Sequence, residues 1–316
     1  MEKPWLSVIV PCLNGERWIA TALQSLVDQK EPGIEVLVVD GSANDTGLRI
    51  VDGFSDKLNI RAHHRPDLVP YTAATNFGVE QATSDRICIL HVDDIWLPNR
   101  AAKLREWLAV QSDGVMHLHP SYIIDGSGRR LGVWRCPFPV GPSPVPIPML
   151  FERLLVQNFI STPALTIRRD VYLNTGGLDN QLWFTADWDL YFKIASVGNV
   201  YYHSCPLACY RVHKGALTVR GSRNIEDFRK QYEIVFNRHI GKLSPVQAKK
   251  IIPLAMASIG VNTALAAAIN GELGQLAKAL IAVLALGPQG MHRYFAYSRI
   301  TERAFPRLRA LVTRNF

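Results

Sequence analysis

Four acid-bearing segments mark the chain up to residue 189: Asp40 in VVDGSANDTG, Asp67 in RPD, Asp93 with Asp94 in HVDDIWLP, and Asp187 with Asp189 in TADWDLYFKIA. Any one of them alone reads as a turn former or helix cap, the commonest work of Asp. The Asp93-Asp94 pair asks for more. Two adjacent carboxylates at the exit of a segment as apolar as RICILHV would repel each other unless a cation lies between them, and hard oxygen ligands suit Mg²⁺ or Mn²⁺. A divalent ion held by one or two carboxylates completes its shell with water and substrate phosphate, so the pattern predicts a phosphorylated substrate. No G-x-x-x-x-G-K-[ST] loop occurs and no G-x-G-x-x-G follows an apolar run, which disfavours ATP and dinucleotide chemistry in their common forms.

Such acids need a frame to hold them. WLSVIVP (5–11) and IEVLVVD (34–40) read as buried strands flanking an amphipathic helix over 16–29. The alternation continues with a helix near 45–54, a strand near 58–64, a helix near 71–83 and a strand over 86–92. This spacing predicts an α/β fold with a mainly parallel central sheet, whose ligands bind outside the carboxyl ends of the strands, where Asp40 and Asp93 fall. A helix near 98–110 and a hairpin about Asp125-Gly126-Ser127-Gly128 follow, then six prolines between Pro137 and Pro148 that favour an extended seam. Residues 163–169 read as a strand, 186–197 as a helix and 199–212 as strand material; beyond about 222 the pattern is helical. The expected organisation is a catalytic domain over 1–220 and a C-terminal helical region over 221–316.

Five segments together carry a family resemblance. VIVPCLNGERWIATALQSL, EVLVVDGSANDTG, AATNFGVEQATSDRICILHVDDIWLP, GGLDNQLWFTADWDLYFKIA and YRVHKGALT resemble, in order and spacing, family 2 glycosyltransferases of the GT-A fold. The resemblance implies an inverting enzyme that takes a sugar from a nucleotide-diphosphate sugar, a UDP-sugar foremost. It implies that Asp40 recognises the nucleoside and that the turn Pro11, Cys12, Leu13 and Asn14 lines the same pocket. The D-x-D element maps onto His91, Val92 and Asp93, with Asp94 following, and holds ribose and metal. The base of the E-D dipeptide maps onto Asp187, beside Ala186. His213 completes the metal or diphosphate site with Asp93. Two departures stand out: His91 replaces the first acid of D-x-D-D, and Ala186 replaces the Glu of E-D. Loss of the first acid leaves Asp93 as a ligand, and loss of the Glu spares the base.

The chemistry is coherent on general grounds. The leaving diphosphate needs a Lewis acid, Mg²⁺ or Mn²⁺, and the acceptor hydroxyl must lose its proton as it attacks C1. Attack from the face opposite the leaving group inverts the anomeric centre. Other residues keep two readings. Asp67 joins the nucleotide-binding group or forms a turn. Asn76, with Gly78 in TNFGVEQA, matches the family's N-x-G or packs a helix. Trp183, Phe184 and Trp188 form a platform for a sugar ring or belong to the core. Asp189, about 200° from Asp187 on the same helix, is a secondary or structural group. Arg211 pairs with diphosphate or with a surface acid, and His63 and His64 read as surface or capping residues.

With 48% hydrophobic and 20% charged residues, the 316-residue chain can bury a large core, which excludes disorder as its main state. Five cysteines without a C-x-x-C pair form neither a disulfide framework nor a zinc site, so a reduced cytoplasmic setting is expected, and WLSVIVP reads as a strand, not a secretion signal. The formal charge of +8 is all C-terminal: residues 241–316 hold ten Lys/Arg and two Asp/Glu. Without a nucleic-acid motif this excess does not predict a nucleic-acid binder. Arg293, Arg299, Arg303, Arg307, Arg309 and Arg314, interleaved with Ile300, Phe305, Leu308, Leu311, Val312 and Phe316, predict a basic amphipathic surface. It would either meet the inner face of a membrane peripherally, near a glycan or lipid-linked acceptor, or pack on the catalytic part. Ile251–Gly271 lacks charge, but its Pro, Ser, Thr and Asn residues make it a buried helix and not a spanning one. A rival function, suggested by His91, is an inactive sugar-nucleotide-binding module.

Overall fold

LSVIVPC and IEVLVVD are buried at every position, as strands covered on both faces must be. Glu35 survives inside because its carboxylate accepts from Ser7 Oγ at 2.5 Å, the Thr83 N–H at 2.6 Å and Arg61 at 3.0 Å. The computed structural model describes residues 3–217, 219, 224–269 and 271–312. β1 (Leu6–Cys12), α1 (Ile19–Val27), β2 (Ile34–Asp40), α2 (Thr46–Asp52), β3 (Asn59–His64), α3 (Tyr71–Gln81) and β4 (Arg86–Ile89) follow the alternation expected from sequence. Then come β5 (Ile95–Trp96), α4 (Arg100–Val110), β6 (Gly114–Leu118), β7 (Ser121–Ile124), β8 (Arg130–Trp134) and α5 (Ile147–Val156). β9 (Leu165–Arg168), α6 (Arg169–Asn174), α7 (Ala186–Ala195), β10 (Asn199–Tyr202) and β11 (Ala208–Arg211) complete the sheets.

The seven-stranded sheet runs β10-β6-β9-β4-β1-β2-β3 and is parallel except at β9, which is antiparallel to both neighbours. The register of β1 on β2 pairs Cys12 with Asp40, and β1 also pairs with β4 in parallel, so the Pro11–Asn14 turn, Asp40 and the chain leaving β4 toward Asp93 emerge at one edge. A smaller sheet, β5-β11-β7-β8, was not foreseen from the sequence. Its β5 opens one residue after Asp94 and pairs Ile95 with Cys209 of β11, which brings Arg211 and His213 beside the two acids.

The proline-rich stretch is free of strand, as expected, but it ends in a helix that the prolines masked: Pro148 lies in the first turn of α5, where its missing N–H costs nothing. Four further helices follow α8 (Ile225–His239): α9 (Pro245–Ile269), α10 (Gly274–Leu284), α11 (Gly287–Ser298) and α12 (Ile300–Val312). The expected domain boundary falls at 220–223, outside the described residues. One apolar cluster crosses it, joining Phe151, Leu155 and Trp188 to Val235, Ile251, Leu254, Tyr294 and Ile300. α9 is long and apolar enough to cross a membrane by length and composition, and 56% of its most apolar window is buried. Its polar residues face inward: Ser258 Oγ and Asn262 Nδ2 donate to Gln157 Oε1 at 3.0 and 2.7 Å. That seats α9 on the end of α5.

Candidate active site

The end that holds Asp40 is built from two turns. Asn14 takes a left-handed backbone with φ +51° and donates its N–H to Ser42 Oγ at 2.8 Å. Ser42 in turn donates its N–H and Oγ–H to Asp40 Oδ1 at 2.9 and 2.5 Å, an Asx-type turn legible in the D-G-S triplet. Asp40 is fully buried, and its Oδ2 has no hydrogen-bond partner in the structure. Such an atom is costly to leave alone and suits a ligand N–H or O–H. A Cβ on Gly47 would stand 2.8 Å from that oxygen, and one on Gly15 would stand 2.8 Å from Cys12 Sγ, so glycine keeps the pocket open at both points. Burial, reinforced by the Asp40 charge, pushes the Cys12 thiol up to about 12, which makes it a neutral wall of the pocket. Leu13 is exposed beside it.

Two residues grouped here from sequence are committed elsewhere. Asp67 is exposed and bound by both oxygens to Arg65 at 2.9 and 2.7 Å; Arg65 also donates its backbone N–H to the Asp40 carbonyl at 2.7 Å. Asp67 therefore braces the rim. Asn76 spends its amide on packing: Nδ2 donates to the Leu178 carbonyl at 2.8 Å, and Oδ1 accepts from the Leu178 N–H at 2.9 Å and the Tyr172 hydroxyl at 2.6 Å.

At the centre, His91, Val92, Asp93 and Asp94 form a turn closed by the Asp94 N–H on the His91 carbonyl at 3.0 Å. The two carboxyls part company. Asp93 Oδ2 is hydrogen-bonded to His213 Nε2 at 2.9 Å, whereas Asp94 Oδ1 accepts the Arg211 backbone N–H at 2.9 Å. Burial alone would raise the Asp93 carboxyl, but the His213 hydrogen bond and the nearby imidazoles outweigh it and hold Asp93 below the usual range. Asp94, buried and next to that charge, is pushed well above it. The pair is thus split, with one carboxyl held below its ordinary range and the other pushed above it. Burial likewise lowers His91, which meets the Tyr71 ring edge-on at 5.7 Å.

Arg211 lies inside the site. Its Nε donates to the Asp93 carbonyl at 2.7 Å and its Nη1 to the Asp125 carbonyl at 2.9 Å, while the guanidinium lies 4.4 Å from the Trp18 ring centre. It clamps the turn from within, and among the described residues it forms no salt bridge with a surface acid. Asp93 and His213 are the donors that could hold a divalent ion, and among the described residues no group of three or more His, Cys, Asp or Glu converges. One carboxylate and one imidazole fit an ion that draws its other ligands from a bound diphosphate and water.

The third part is the start of α7, where Ala186 is buried and Asp187 is recessed but reachable. Asp187 Oδ1 accepts the Trp188 N–H at 2.7 Å; Asn158 Nδ2 and Thr162 Oγ1 stand off at 3.4 and 3.5 Å. Burial prevails over these weak donors and raises the carboxyl to about 6, the value of a base poised near neutrality. Asp189 is the opposite case. Burial would raise it, but His239 at 2.8 Å and Lys193 at 3.2 Å bring it down to about 2. It is a fixed ion-pair anchor facing away from Asp187. Burial raises the hydroxyl of Tyr210, one residue before Arg211, to about 12.

The aromatic platform is corrected in part. Trp188 is 1% exposed and donates its indole N–H to the Leu154 carbonyl at 2.9 Å, a core position no sugar can reach. Trp183 is half-buried, with its indole N–H on Asp227 at 2.6 Å and its ring 4.3 Å from that of Phe184. An open groove of about 610 Å³ lined by Asp179, Asp189, Lys193 and Arg238 lies on the far side of α7 and contains none of Asp40, Asp93 or Asp187.

Sequence reasoning missed Ser42, Trp18, Tyr210, Asn158 and Arg303. Arg303 of α12 is buried and donates to the Asn158 carbonyl at 3.3 Å and to Asn262 Oδ1 at 3.1 Å.

Comparison with known proteins gives a family and a fold. The family model described as Glycosyl transferase family 2 matches residues 7–172. An uncharacterized glycosyltransferase of Rickettsia typhi is 24% identical over 243 residues, 77% of this chain and 73% of the relative. The chain spans only 35% to 40% of longer relatives from other rickettsiae. Among solved structures, S. aureus TarS 1–349 in complex with UDP-GlcNAc superposes with a TM-score of 0.64 at 18% identity, covering 94% of this chain and 84% of that one. The mannosyltransferase PcManGT from Pyrobaculum calidifontis, in complex with GDP-Man and Mn²⁺, gives 0.53 at 19% identity, covering 96% and 88%.

Proposed function

This chain belongs to glycosyl transferase family 2 and is a glycosyltransferase of GT-A-like fold, and from that premise we propose that it moves a sugar, with inversion, from a UDP-sugar to a hydroxyl of a glycan or lipid-linked glycan. The observation that carries the reading is the contrast between the two acids of α7. Asp187 sits at about 6 with weak partners, free to take a proton, while Asp189 sits at about 2, locked in ion pairs. Asp187 accepts the proton of the acceptor hydroxyl as that oxygen attacks C1, and the C1–O bond to the diphosphate breaks on the opposite face. The free Oδ2 of Asp40 receives an N–H or O–H of the nucleoside. Asp93 and His213 would hold Mg²⁺ or Mn²⁺, which would supply a Lewis acid toward the diphosphate. The UDP-GlcNAc bound to TarS supports the donor class, and the Mn²⁺ in PcManGT supports the metal.

The test is a panel of nucleotide sugars assayed for nucleoside-diphosphate release with glycan acceptors, with Mn²⁺ and with EDTA. UDP release that depends on acceptor and is lost in Asp187→Asn is the expected result. Tight UDP binding without turnover for any donor would favour an inactive binding module, the reading that His91 and Ala186 invite.

A further inference from the structure

The basic helix that was expected either to meet a membrane or to pack on the catalytic part turns several residues inward, while Phe305 stays 61% exposed. Arg303 is buried, Pro306 lies where a Cβ on Gly132 of β8 would stand 2.7 Å away, Arg307 lies 5.6 Å over the Trp134 ring, and Arg299 pairs with Glu302. Arg314 and Phe316 lie outside the described residues. The unpartnered apolar face belongs to a different helix. α10 buries only Ala279 and Val283, yet Leu276, Leu280, Ile281 and Leu284 are exposed on an arc of about 140° at 100° per residue. Leu280 and Ile281 are 60% and 65% exposed, values that water alone does not explain for adjacent aliphatics on an ordered helix. Ile252 and Met256 of α9 are exposed as well.

The charge on this part of the chain has one sign. Lys249, Lys250, Lys278 and Arg293 are exposed, and between Glu233 and Glu302 the sequence holds one acid, Glu272. Two identical copies meeting through this face would bring Lys278 of α10 against a second Lys278, because a two-fold contact uses the same patch twice. Anionic headgroups complement Lys278 and the net positive charge of this part of the chain, and leucines at their level leave water for acyl chains.

We propose that the exposed face of α10 docks the enzyme peripherally on an anionic bilayer. The chain lies on the surface and does not cross it. The claim is independent of which donor the active site takes, since it is read by binding and not by transfer.

Flotation of the full chain with vesicles of phosphatidylcholine containing one third phosphatidylglycerol is the test. The expected result is binding at low salt that falls at least tenfold with phosphatidylcholine alone, with 0.5 M NaCl, or in the double variant Leu280→Glu, Ile281→Glu. Both residues are exposed, so circular dichroism and thermal midpoint should stay at the wild-type values. A second variant, Lys278→Glu, should weaken binding in a salt-dependent way. Absence of binding by the wild type at low salt overturns the proposal, and so does binding that the double variant leaves intact. A wild-type dimer that the double variant converts to monomer, without flotation, assigns the face to a second copy instead.

Discussion

Arg303, near the C-terminal end of the chain, donates to the backbone carbonyl of Asn158 at 3.3 Å, and the Asn158 side chain reaches to 3.4 Å from Asp187. The helical region is therefore part of the mounting of Asp187. Burial lowers Arg303 to about 10, with Arg307 adding to the effect, yet it stays charged at neutral pH.

Replacing Arg303 by Met should strand the Asn158 carbonyl and Asn262 Oδ1, a loss of ~1.5–3 kcal/mol for buried bonds to a charged group. The thermal midpoint should fall by several degrees, about 2–4 °C per kcal/mol for a chain of this size. The same variant should lower kcat more than it raises donor KM, because the segment it loosens touches the base and not the nucleotide pocket. An unchanged midpoint and unchanged kcat would show that the contact is incidental.

Asp187→Asn should cut transfer by ~10²–10⁴ while leaving UDP affinity unchanged. In the wild type, kcat should fall as pH drops through about 6, where the carboxyl gains its proton. Stability runs the other way. The folded value lies above the ordinary ~3.9, so the native state binds more protons between the two, and this group's contribution improves as pH falls from about 6 toward 4. Asp187→Asn should therefore be more stable than wild type above pH 6, by ~1–2 kcal/mol after allowing for its partial exposure, and equal to it below about pH 4. Thermal melts across that range check the sign.

Much of this was legible in the chain, and the misses have physical causes. Short apolar runs alternating with helix-length segments located β1 to β4 and their helices. β5 and β11 are two and four residues long, too short to show a period, so the small sheet escaped. α5 was hidden because prolines mark both an extended segment and a helix's first turn. Asp40, Asp93 and Asp187 could be picked out because each follows a recognisable strand or opens a helix. Asn158 and Arg303 could not: they meet across 145 residues, and nothing in either segment points to the other. The arginines of 293–309 looked alike in sequence, and only packing distinguishes the buried Arg303 from the exposed Arg293.

The two central acids should behave differently on the same substitution. Asp93→Asn removes the charged partner of His213 and the carboxylate offered to a metal, so turnover should fall by orders of magnitude. Asp94→Asn replaces a carboxyl that burial and the Asp93 charge push well above its ordinary range, and its amide oxygen can still accept the Arg211 N–H, so activity should stay near wild type. His213→Gln should raise the Mn²⁺ concentration needed for half-maximal rate. If Asp94→Asn is the inactive variant and Asp93→Asn is not, the assignment of the metal ligand is reversed.

The last contrast separates nucleotide binding from packing. Asp40→Ala removes the unpaired Oδ2 that faces the pocket and should weaken UDP binding about 10- to 100-fold, the worth of one hydrogen bond to a charged group. Asn76→Ala breaks the three bonds that tie α3 to Leu178 and Tyr172, so its cost should appear in the thermal midpoint and not in UDP affinity. Calorimetric titration of UDP into both variants, with melts of each, gives the answer. Equal loss of UDP affinity in the two would mean that Asn76 reaches the donor after all, through a rearrangement that frees its amide from Leu178.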